Sequence, residues 1–185
     1  SRLALSFAAT TRVPAGARVE VTGNPVRPAI AALSDAGYPA GGASVNLLVL
    51  GGSLGARVFS DVVPAALLAL PDDLRQRLRV TQQCRPEDLD RVRTAYAQAG
   101  IVADLAPFFA DVATRLRDAH LVIARAGAST VAELAVAGRP SILVPLPGAI
   151  DDHQTGNARA LAEAGGAWPM PQPTFTPVTL AGMLT

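Results

Sequence analysis

The sequence of 185 residues is poor in features that mark several classes of protein. Its single cysteine, Cys84, has no partner for an internal disulfide and belongs to no CxxC zinc motif. No apolar run reaches the roughly 18–20 residues that a membrane-spanning helix needs. The formal net charge is only +1, from 16 basic residues that are all arginine and 15 acidic residues. Such a balance gives no field that would attract a phosphate backbone. These shortages argue against nucleic acid as a partner and favour the cytoplasm.

The residues that are abundant indicate a folded domain. Half of the chain is apolar and 17% is charged, a composition that provides enough apolar surface to offset chain entropy. The length suits one sizeable domain with a fragment attached. The chain begins within a strand-like run, Leu3–Phe7, and without methionine, so we expect it to be a piece of a longer protein.

From Val45 onward, short apolar runs alternate with longer segments of helical period. This alternation predicts an α/β fold, a Rossmann-like parallel sheet with helices on both faces. The predicted strands are Asn46–Leu50, Arg79–Gln83, Val102–Ala106, Leu121–Ala124, Ile142–Val144 and Ala167–Met170. The predicted helices are Ala56–Leu70, Pro86–Ala99, Val112–Asp118, Thr130–Ala137 and Gln154–Ala164. Pro64 lies inside the first of these helices and is expected to kink or split it.

The segment before this unit has a different pattern. Leu3–Phe7 and Val19–Thr22 are predicted strands around a Pro-Ala-Gly turn. The loop Tyr38–Ala43 is rich in glycine, proline and alanine, which is typical of a connection between domains. The opening segment is therefore interpreted as the end of another domain.

The first motif that could form a ligand-binding site is Gly51-Gly-Ser-Leu-Gly-Ala56, which follows a predicted buried strand and leads into a predicted helix. Such a turn aims backbone N–H groups and the positive end of a helix at one point, where phosphate can bind. Ser53 adds a hydroxyl donor. The motif lacks the lysine of a Walker A loop, and no acidic residue ends the next strand as in dinucleotide sites. A tight turn without ligand remains the alternative.

The second motif, Arg125-Ala-Gly-Ala-Ser-Thr-Val-Ala-Glu133, also joins a strand to a helix. Ser129 or Thr130 is a candidate N-cap. Glu133 then has two interpretations: a carboxylate of the first helical turn in a capping box, or an acceptor for the hydroxyls of a ribose. Arg125 is placed to pair with an acid or with phosphate.

The third motif is the polar loop from Val144 to Asn157, at the sheet edge where parallel α/β folds bind ligands. Its adjacent acidic residues and His153 are poorly spaced for a metal, and no metal is expected. Gln154 and Asn157 have no evident structural role.

Four motifs, Gly23–Arg27, Gly51–Ala56, Arg125–Glu133 and Asp151–Ala158, occur in the order and spacing of the MurG family of bacterial N-acetylglucosaminyltransferases, which the chain resembles over nearly its whole length. The resemblance implies the C-terminal half of a GT-B glycosyltransferase. It assigns residues 1–27 to the end of an N-terminal acceptor domain and the start of a linker, 28–44 to the linker, and 45–185 to a UDP-GlcNAc-binding domain truncated at its C-terminal end.

The resemblance also implies a reaction. Family members transfer GlcNAc from UDP-GlcNAc, with inversion, to the C4 hydroxyl of a lipid-linked N-acetylmuramoyl pentapeptide in peptidoglycan synthesis, without a metal or another cofactor. The acceptor and the cytoplasmic face of the membrane would be contacted through an N-terminal domain that this sequence lacks. Transfer by this chain alone is therefore not expected, and no catalytic residue is assigned.

The site residues implied by the resemblance fall into groups by the part of the donor they would hold. Backbone groups at Phe109 would hold the uracil and Glu133 the ribose. Arg27, Ser53 and the helix opening at Ala128 and Ser129 would meet the diphosphate. His153, where the family often has glutamine, and Gln154 would face the sugar. Gly52 and Arg125 complete the set.

Two alternatives are less favoured. One is a non-catalytic donor-binding subunit of a split N-acetylglucosaminyltransferase, which would pair with a membrane partner; the incomplete first strands argue against it. The other is a different GT-B enzyme such as a sugar-nucleotide epimerase, which should lack the Gly23–Arg27 and Asp151–Ala158 motifs together.

Overall fold

The computed structural model describes residues 2–6, 10, 13–52, 55–149 and 152–185. The strands are β1 (Arg2–Leu5), β2 (Arg18–Val21), β3 (Val45–Leu50), β4 (Leu78–Gln83), β5 (Val102–Ala106), β6 (Leu121–Ala124), β7 (Ser141–Leu143) and β8 (Ala167–Pro169). The α-helices are α1 (Pro28–Ala31), α2 (Arg57–Leu68), α3 (Asp72–Arg77), α4 (Leu89–Gln98), α5 (Val112–Asp118), α6 (Ala128–Ala137), α7 (His153–Glu163) and α8 (Pro177–Leu184). Short 3₁₀ turns occur at Pro86–Asp88 and Gln172–Thr174.

Six strands form a parallel sheet in the order β5-β4-β3-β6-β7-β8. The predicted Rossmann-like sheet is thus confirmed, and each of its strands lies within one residue of its predicted bounds. Chain order reverses between β3 and β6, where Leu48 is paired with Val122. In open α/β sheets, ligands bind in the crevice outside the carboxyl ends of the strands at this switch point.

The core has two apolar layers, one on each face of the sheet. Alternate residues of a strand point to opposite faces, so Leu47 joins the layer formed with α2, α4 and α8. Leu48 joins the layer formed with α1, α5, α6 and α7. The prediction of helices on both faces is therefore confirmed, and the burial of both faces explains the continuous apolar runs of the strands.

A kink or a split was expected at Pro64, and the split is wrong, because α2 runs without interruption from Arg57 to Leu68. Proline cannot donate to the carbonyl four residues before it, which here belongs to Ser60. Arg91 of α4 donates from Nη1 to that carbonyl at 3.4 Å. A side chain from the neighbouring helix thus replaces the missing backbone hydrogen bond.

The connection before β3 is held against the sheet unit. Ile30 of α1 is buried, and α1 packs against α6. The buried Arg139 donates to the Gly37 carbonyl at 2.8 Å, and the Tyr38 hydroxyl donates to the His120 carbonyl at 2.9 Å. The Arg139 guanidinium also lies over the Tyr38 ring. These contacts anchor residues 28–40 on the face that carries α5 and α6.

The opening segment forms a separate two-stranded sheet in which β1 and β2 are parallel. Ser6 donates from its hydroxyl to Asn24 Oδ1 at 2.6 Å and ties the following turn to this sheet. Residue 7, where the first predicted strand was expected to end, lies outside the described residues. The proposed division at residues 27 and 44 stays a prediction.

Helices α1, α3 and α8 were not predicted from the sequence. In the described parts of the chain, no helix is long and apolar enough to cross a lipid bilayer.

Candidate functional site

A cleft of about 770 Å³ opens at the carboxyl edge of the sheet, over the switch point between β3 and β6. Loops after β3, β4, β6 and β7 contribute to it. Its lining includes Gly51, Gly52, Gly55, Ala56, Arg57, Arg85, Arg125, Gly127, Ser129, Leu146, Gln154 and Gln172. The structure therefore brings four residues of the predicted set, Gly52, Arg125, Ser129 and Gln154, to one cavity.

The turn after β3 requires glycine for steric reasons. A Cβ added to Gly51 would lie 2.3 Å from the backbone nitrogen of Ala56, a distance that no side chain tolerates. Gly52 has φ of 86° and Gly55 has φ of 69°, in the left-handed region that favours glycine. The described residues of this turn, Gly51, Gly52, Gly55 and Ala56, line the cleft. Ser53, the predicted hydroxyl donor of this turn, lies outside the described residues.

Gln83 links this turn to the loop after β5, a role that the sequence analysis missed. The buried side chain accepts from the Gly51 N–H at 3.2 Å and donates from Nε2 to the Pro107 carbonyl at 3.0 Å. Both ends of one amide are therefore used. The available signal was the polar pair Gln82 and Gln83 at the carboxyl end of a predicted strand.

The loop after β5 presents Phe109, which is buried. The Arg115 guanidinium lies 4.0 Å from the centre of its ring, a cation–π arrangement. Arg115 is also paired with Asp104 and Asp111. Phe109 does not line the cleft itself, but Gln83 joins its loop to the cleft through Pro107.

Helix α6 begins at Ala128, after Gly127 in the N-cap position. Gly127 has no side chain for capping, so the predicted N-cap at Ser129 or Thr130 is wrong. The N–H groups of a first helical turn have no partner within the helix. Here those of Ala128 and Ser129 lie at the switch point, where they and the positive helix end suit an anion.

Glu133 therefore lies in the second turn of α6 and cannot form a capping box. It instead accepts two hydrogen bonds from Arg27, from Nε at 2.8 Å and from Nη2 at 3.0 Å. The Glu133 side chain is 15% exposed and that of Arg27 is 56% exposed. The hydrogen bond to Glu133 raises the pKa of the Arg27 guanidinium above its ordinary value. The two residues predicted to hold ribose and diphosphate are thus joined to each other.

Arg125 uses both terminal nitrogens of its guanidinium for hydrogen bonds within the protein. It donates from Nη1 to the carbonyls of Val144 and Pro145, both at 3.1 Å, and from Nη2 to Gln172 Oε1 at 2.7 Å. Burial lowers the pKa of its guanidinium. Among the described residues, its guanidinium donates to two backbone carbonyls and a side-chain amide rather than to a carboxylate. Arg125 holds the ends of β6 and β7 and the turn that contains Gln172.

The loop after β7 is fixed by the amides that follow it. Gln154 accepts from the Leu146 N–H at 3.0 Å, and the buried Asn157 donates to the Ala126 carbonyl at 3.0 Å. The interpretation that these residues lack structural roles is therefore wrong. Gln154 still lines the cleft. His153, the first residue of α7, is exposed.

The described residues form no cluster that could hold a metal ion. Among the residues that the structure describes, no three side chains of histidine, cysteine, aspartate or glutamate come together as a metal site. The geometry instead offers backbone N–H groups, amides and guanidinium groups, which are donors for an anionic and polyhydroxylated ligand.

Comparison with solved structures identifies the class of protein to which this fold belongs. The crystal structure of Acinetobacter baumannii MurG matches with a TM-score of 0.76 and 33% identity, over 98% of this chain and 50% of that one. With its sheet order and switch-point cleft, the chain has the architecture of the C-terminal half of a GT-B glycosyltransferase.

Sequence comparison gives the family. Residues 46–185 match the glycosyltransferase family 28 C-terminal domain. The chain belongs to this family, and the resemblance to MurG is confirmed.

Two curated relatives carry the name UDP-N-acetylglucosamine--N-acetylmuramyl-(pentapeptide) pyrophosphoryl-undecaprenol N-acetylglucosamine transferase. The protein from Granulibacter bethesdensis is 71% identical over 184 residues, which cover 98% of this chain and 48% of the relative. The protein from Rhodospirillum rubrum is 59% identical over 186 residues, which cover 100% of this chain and 48% of the relative. The chain thus spans about half the length of these relatives.

Proposed function

We propose that this chain is the donor-binding half of an inverting glycosyltransferase that moves GlcNAc from UDP-GlcNAc to the C4 hydroxyl of a lipid-linked N-acetylmuramoyl pentapeptide. The observation that carries the proposal is the cleft at the switch point, where a glycine turn and an uncapped helix end face one cavity. The names of relatives with up to 71% identity support the choice of donor and acceptor.

The nucleotide is proposed to lie across the ends of three strands. Backbone groups at Phe109 would pair with the uracil edge, and the Glu133 carboxylate would accept hydrogen bonds from the ribose hydroxyls. For that to happen, the ribose must share or replace the bonds that Arg27 now makes to Glu133. Arg27 would then be available to the diphosphate.

The chemical contribution of this half is to stabilise the leaving group. Breaking the bond between the sugar and the diphosphate leaves added negative charge on the diphosphate oxygens. Fixed donors aimed at developing charge are an effective form of catalysis. The first-turn N–H groups at Ala128 and Ser129 and the Arg27 guanidinium would supply them. Gln154 and His153 would contact the sugar.

The acceptor and the membrane belong to the remainder of the proposed protein. The relatives are about twice as long as this chain, and their name includes a lipid-linked acceptor. We propose that acceptor binding and peripheral attachment to the cytoplasmic face of the membrane depend on a further domain.

Calorimetric titration of this chain with UDP, UDP-GlcNAc, ADP-glucose and GDP-mannose tests the donor assignment. The two uridine compounds should bind, and the adenine and guanine compounds should not. The same preparation should transfer no GlcNAc to a lipid-linked acceptor analogue, because the cleft between donor and acceptor needs both halves. Equal binding of all four compounds, or no binding of UDP, would contradict the assignment.

A further inference from the structure

The charge of the cleft comes from arginine alone. Arg57, Arg85 and Arg125 line it, and none of the described lining residues is an aspartate or a glutamate. Because opposite charges are absent from this lining, the cavity favours an anionic ligand. The three guanidinium groups, however, are not equally free to bind one.

Two of the three guanidinium groups are poor candidates for binding a ligand, because one is hydrogen-bonded within the protein and the other is exposed to solvent. Arg125 donates hydrogen bonds from Nη1 to two backbone carbonyls and from Nη2 to Gln172 Oε1. Arg57 is 72% exposed and faces Asp61 at 3.9 Å within α2. A solvated cation beside its own carboxylate adds little to the binding of a ligand.

Arg85 differs from both. It is the second residue after β4, and its backbone carbonyl accepts a hydrogen bond from the Asp88 N–H at the 3₁₀ turn. Its stem packs on the glycine turn, since a Cβ at Gly55 would lie 3.2 Å from Arg85 Cγ. Arg85 also forms an ion pair, between Nη1 and Glu87 Oε1 at 4.0 Å, but its side chain is 38% exposed whereas that of Arg57 is 72% exposed.

One atom of Arg85 is left unsatisfied. Its Nε is buried and has no hydrogen-bond partner among the described residues. A buried N–H without an acceptor costs free energy unless a ligand supplies one. The guanidinium therefore combines a stem packed against the glycine turn with an unused donor, and it lines a cleft whose described lining carries no carboxylate.

We propose that Arg85 binds the diphosphate of the donor, as a further phosphate-binding residue beside the glycine turn. The inference rests on the proposed function and extends it, because neither the motifs nor the family resemblance assigns a role to this residue. Arg85 would add positive charge at the end of β4, on the side of the glycine turn opposite to α6.

The test uses the variant Arg85→Met, which keeps an apolar stem against Gly55 and removes the charge. Binding of inorganic pyrophosphate, UDP and uridine to the ¹⁵N-labelled chain is measured by NMR titration. Arg85→Met should bind UDP and pyrophosphate about tenfold more weakly than the parent, the effect of a lost charge-assisted hydrogen bond. Uridine, which carries no phosphate, should bind equally to both, and Arg85→Lys should recover part of the loss.

The matched control is Arg93→Met in α4, which removes the same charge from an arginine that is 61% exposed and paired with Asp90. It should bind all three ligands like the parent. UDP affinity unchanged in Arg85→Met overturns the proposal, as does an equal loss for uridine, which would show that Arg85 only supports the turn. Pyrophosphate binding that depends on Arg85, without any preference for UDP, would instead refute the proposed function and leave the anion site standing. A parent that binds neither UDP nor pyrophosphate refutes both.

Discussion

Arg27 and Glu133 are 106 positions apart in the chain, yet the guanidinium of one meets the carboxylate of the other in a two-point hydrogen-bonded pair. The pair joins the residue before α1 to the second turn of α6. It also orients the carboxylate proposed to accept the ribose hydroxyls. Binding and local structure therefore depend on the same side chain, and a substitution can separate the two.

Glu133→Ala should lower the affinity for UDP by on the order of 1–3 kcal/mol, the range for a lost hydrogen bond to a charged group. The thermal midpoint should change little, because an ion pair with an arginine that is 56% exposed contributes only about 0–1 kcal/mol. Calorimetric titration and thermal unfolding measure the two effects. Glu163→Ala, at an exposed position of α7, is the control. An earlier melt with unchanged UDP affinity would show that Glu133 has only a structural role.

Gln154→Ala should reduce the preference for UDP-GlcNAc over UDP-GalNAc, which differ in the direction of one hydroxyl. A site that hydrogen-bonds a substrate hydroxyl discriminates strongly because mismatch leaves a buried group unpaired. Since Gln154 also holds the Leu146 N–H, a small loss of UDP affinity is expected alongside. Competition titrations with UDP and both sugar nucleotides measure the difference. Equal losses for all three would assign Gln154 to loop support alone.

Gln83→Leu should destabilise the fold by about 1–3 kcal/mol, because the Gly51 N–H and the Pro107 carbonyl would both lose their partner. For a domain of this size, the melting temperature should fall by several degrees. UDP affinity should fall as well, since the two loops proposed to hold diphosphate and base would no longer be joined. Gln98→Leu, at an exposed position of α4, controls for the loss of an amide. Full stability with full UDP affinity would contradict the bridging role.

Cys84 should resist a thiol reagent such as dithionitrobenzoate in the native protein and react after unfolding in urea. The residue is buried, and burial raises the pKa of its thiol. The folded state thus favours the protonated thiol. The protonated Cys84 thiol contributes fully to the stability of the fold below the pKa of the thiol in the unfolded chain. This contribution is lost as the pH rises through the higher pKa of the thiol in the folded state. Between about pH 7 and about pH 10, the free energy of unfolding measured in urea should fall more for the parent than for Cys84→Ala. Rapid native labelling would contradict this.

The sheet and the site differ in how far the sequence predicts them. The six core strands were predictable because both faces of a parallel sheet are buried, so that apolar runs such as Leu47–Leu50 stand out. The glycine turn at Gly51 was predictable because a strand followed by closely spaced glycines has few other uses. Helix α3 buries no residue and leaves no apolar stripe. Helix α8 starts with a capping box between Thr176 and Thr179, in which threonine replaces the usual acidic or amide residue.

The hydrogen bonds between side chains of the site could not be predicted from the sequence, for a different reason. Glu133 was interpreted as a possible cap because local rules consider only its neighbours in the chain, whereas its partner Arg27 comes from before β3. Likewise, Asn157 meets the Ala126 carbonyl across 31 positions. Such contacts depend on how the helices are placed on the sheet, and no local pattern encodes this placement.

The anchoring of the segment before β3 has a mechanical consequence. Arg27 is hydrogen-bonded to Glu133 of α6, and Arg139 donates a hydrogen bond to the Gly37 carbonyl. Both ends of the segment from Arg27 to Gly37 are therefore attached to the six-stranded sheet unit. Asn24 is fastened to the small sheet through Ser6. Residues 25 and 26 lie between these two attachment points. One of them, Pro25, has its φ fixed by its ring, so this short connection contains few rotatable backbone bonds.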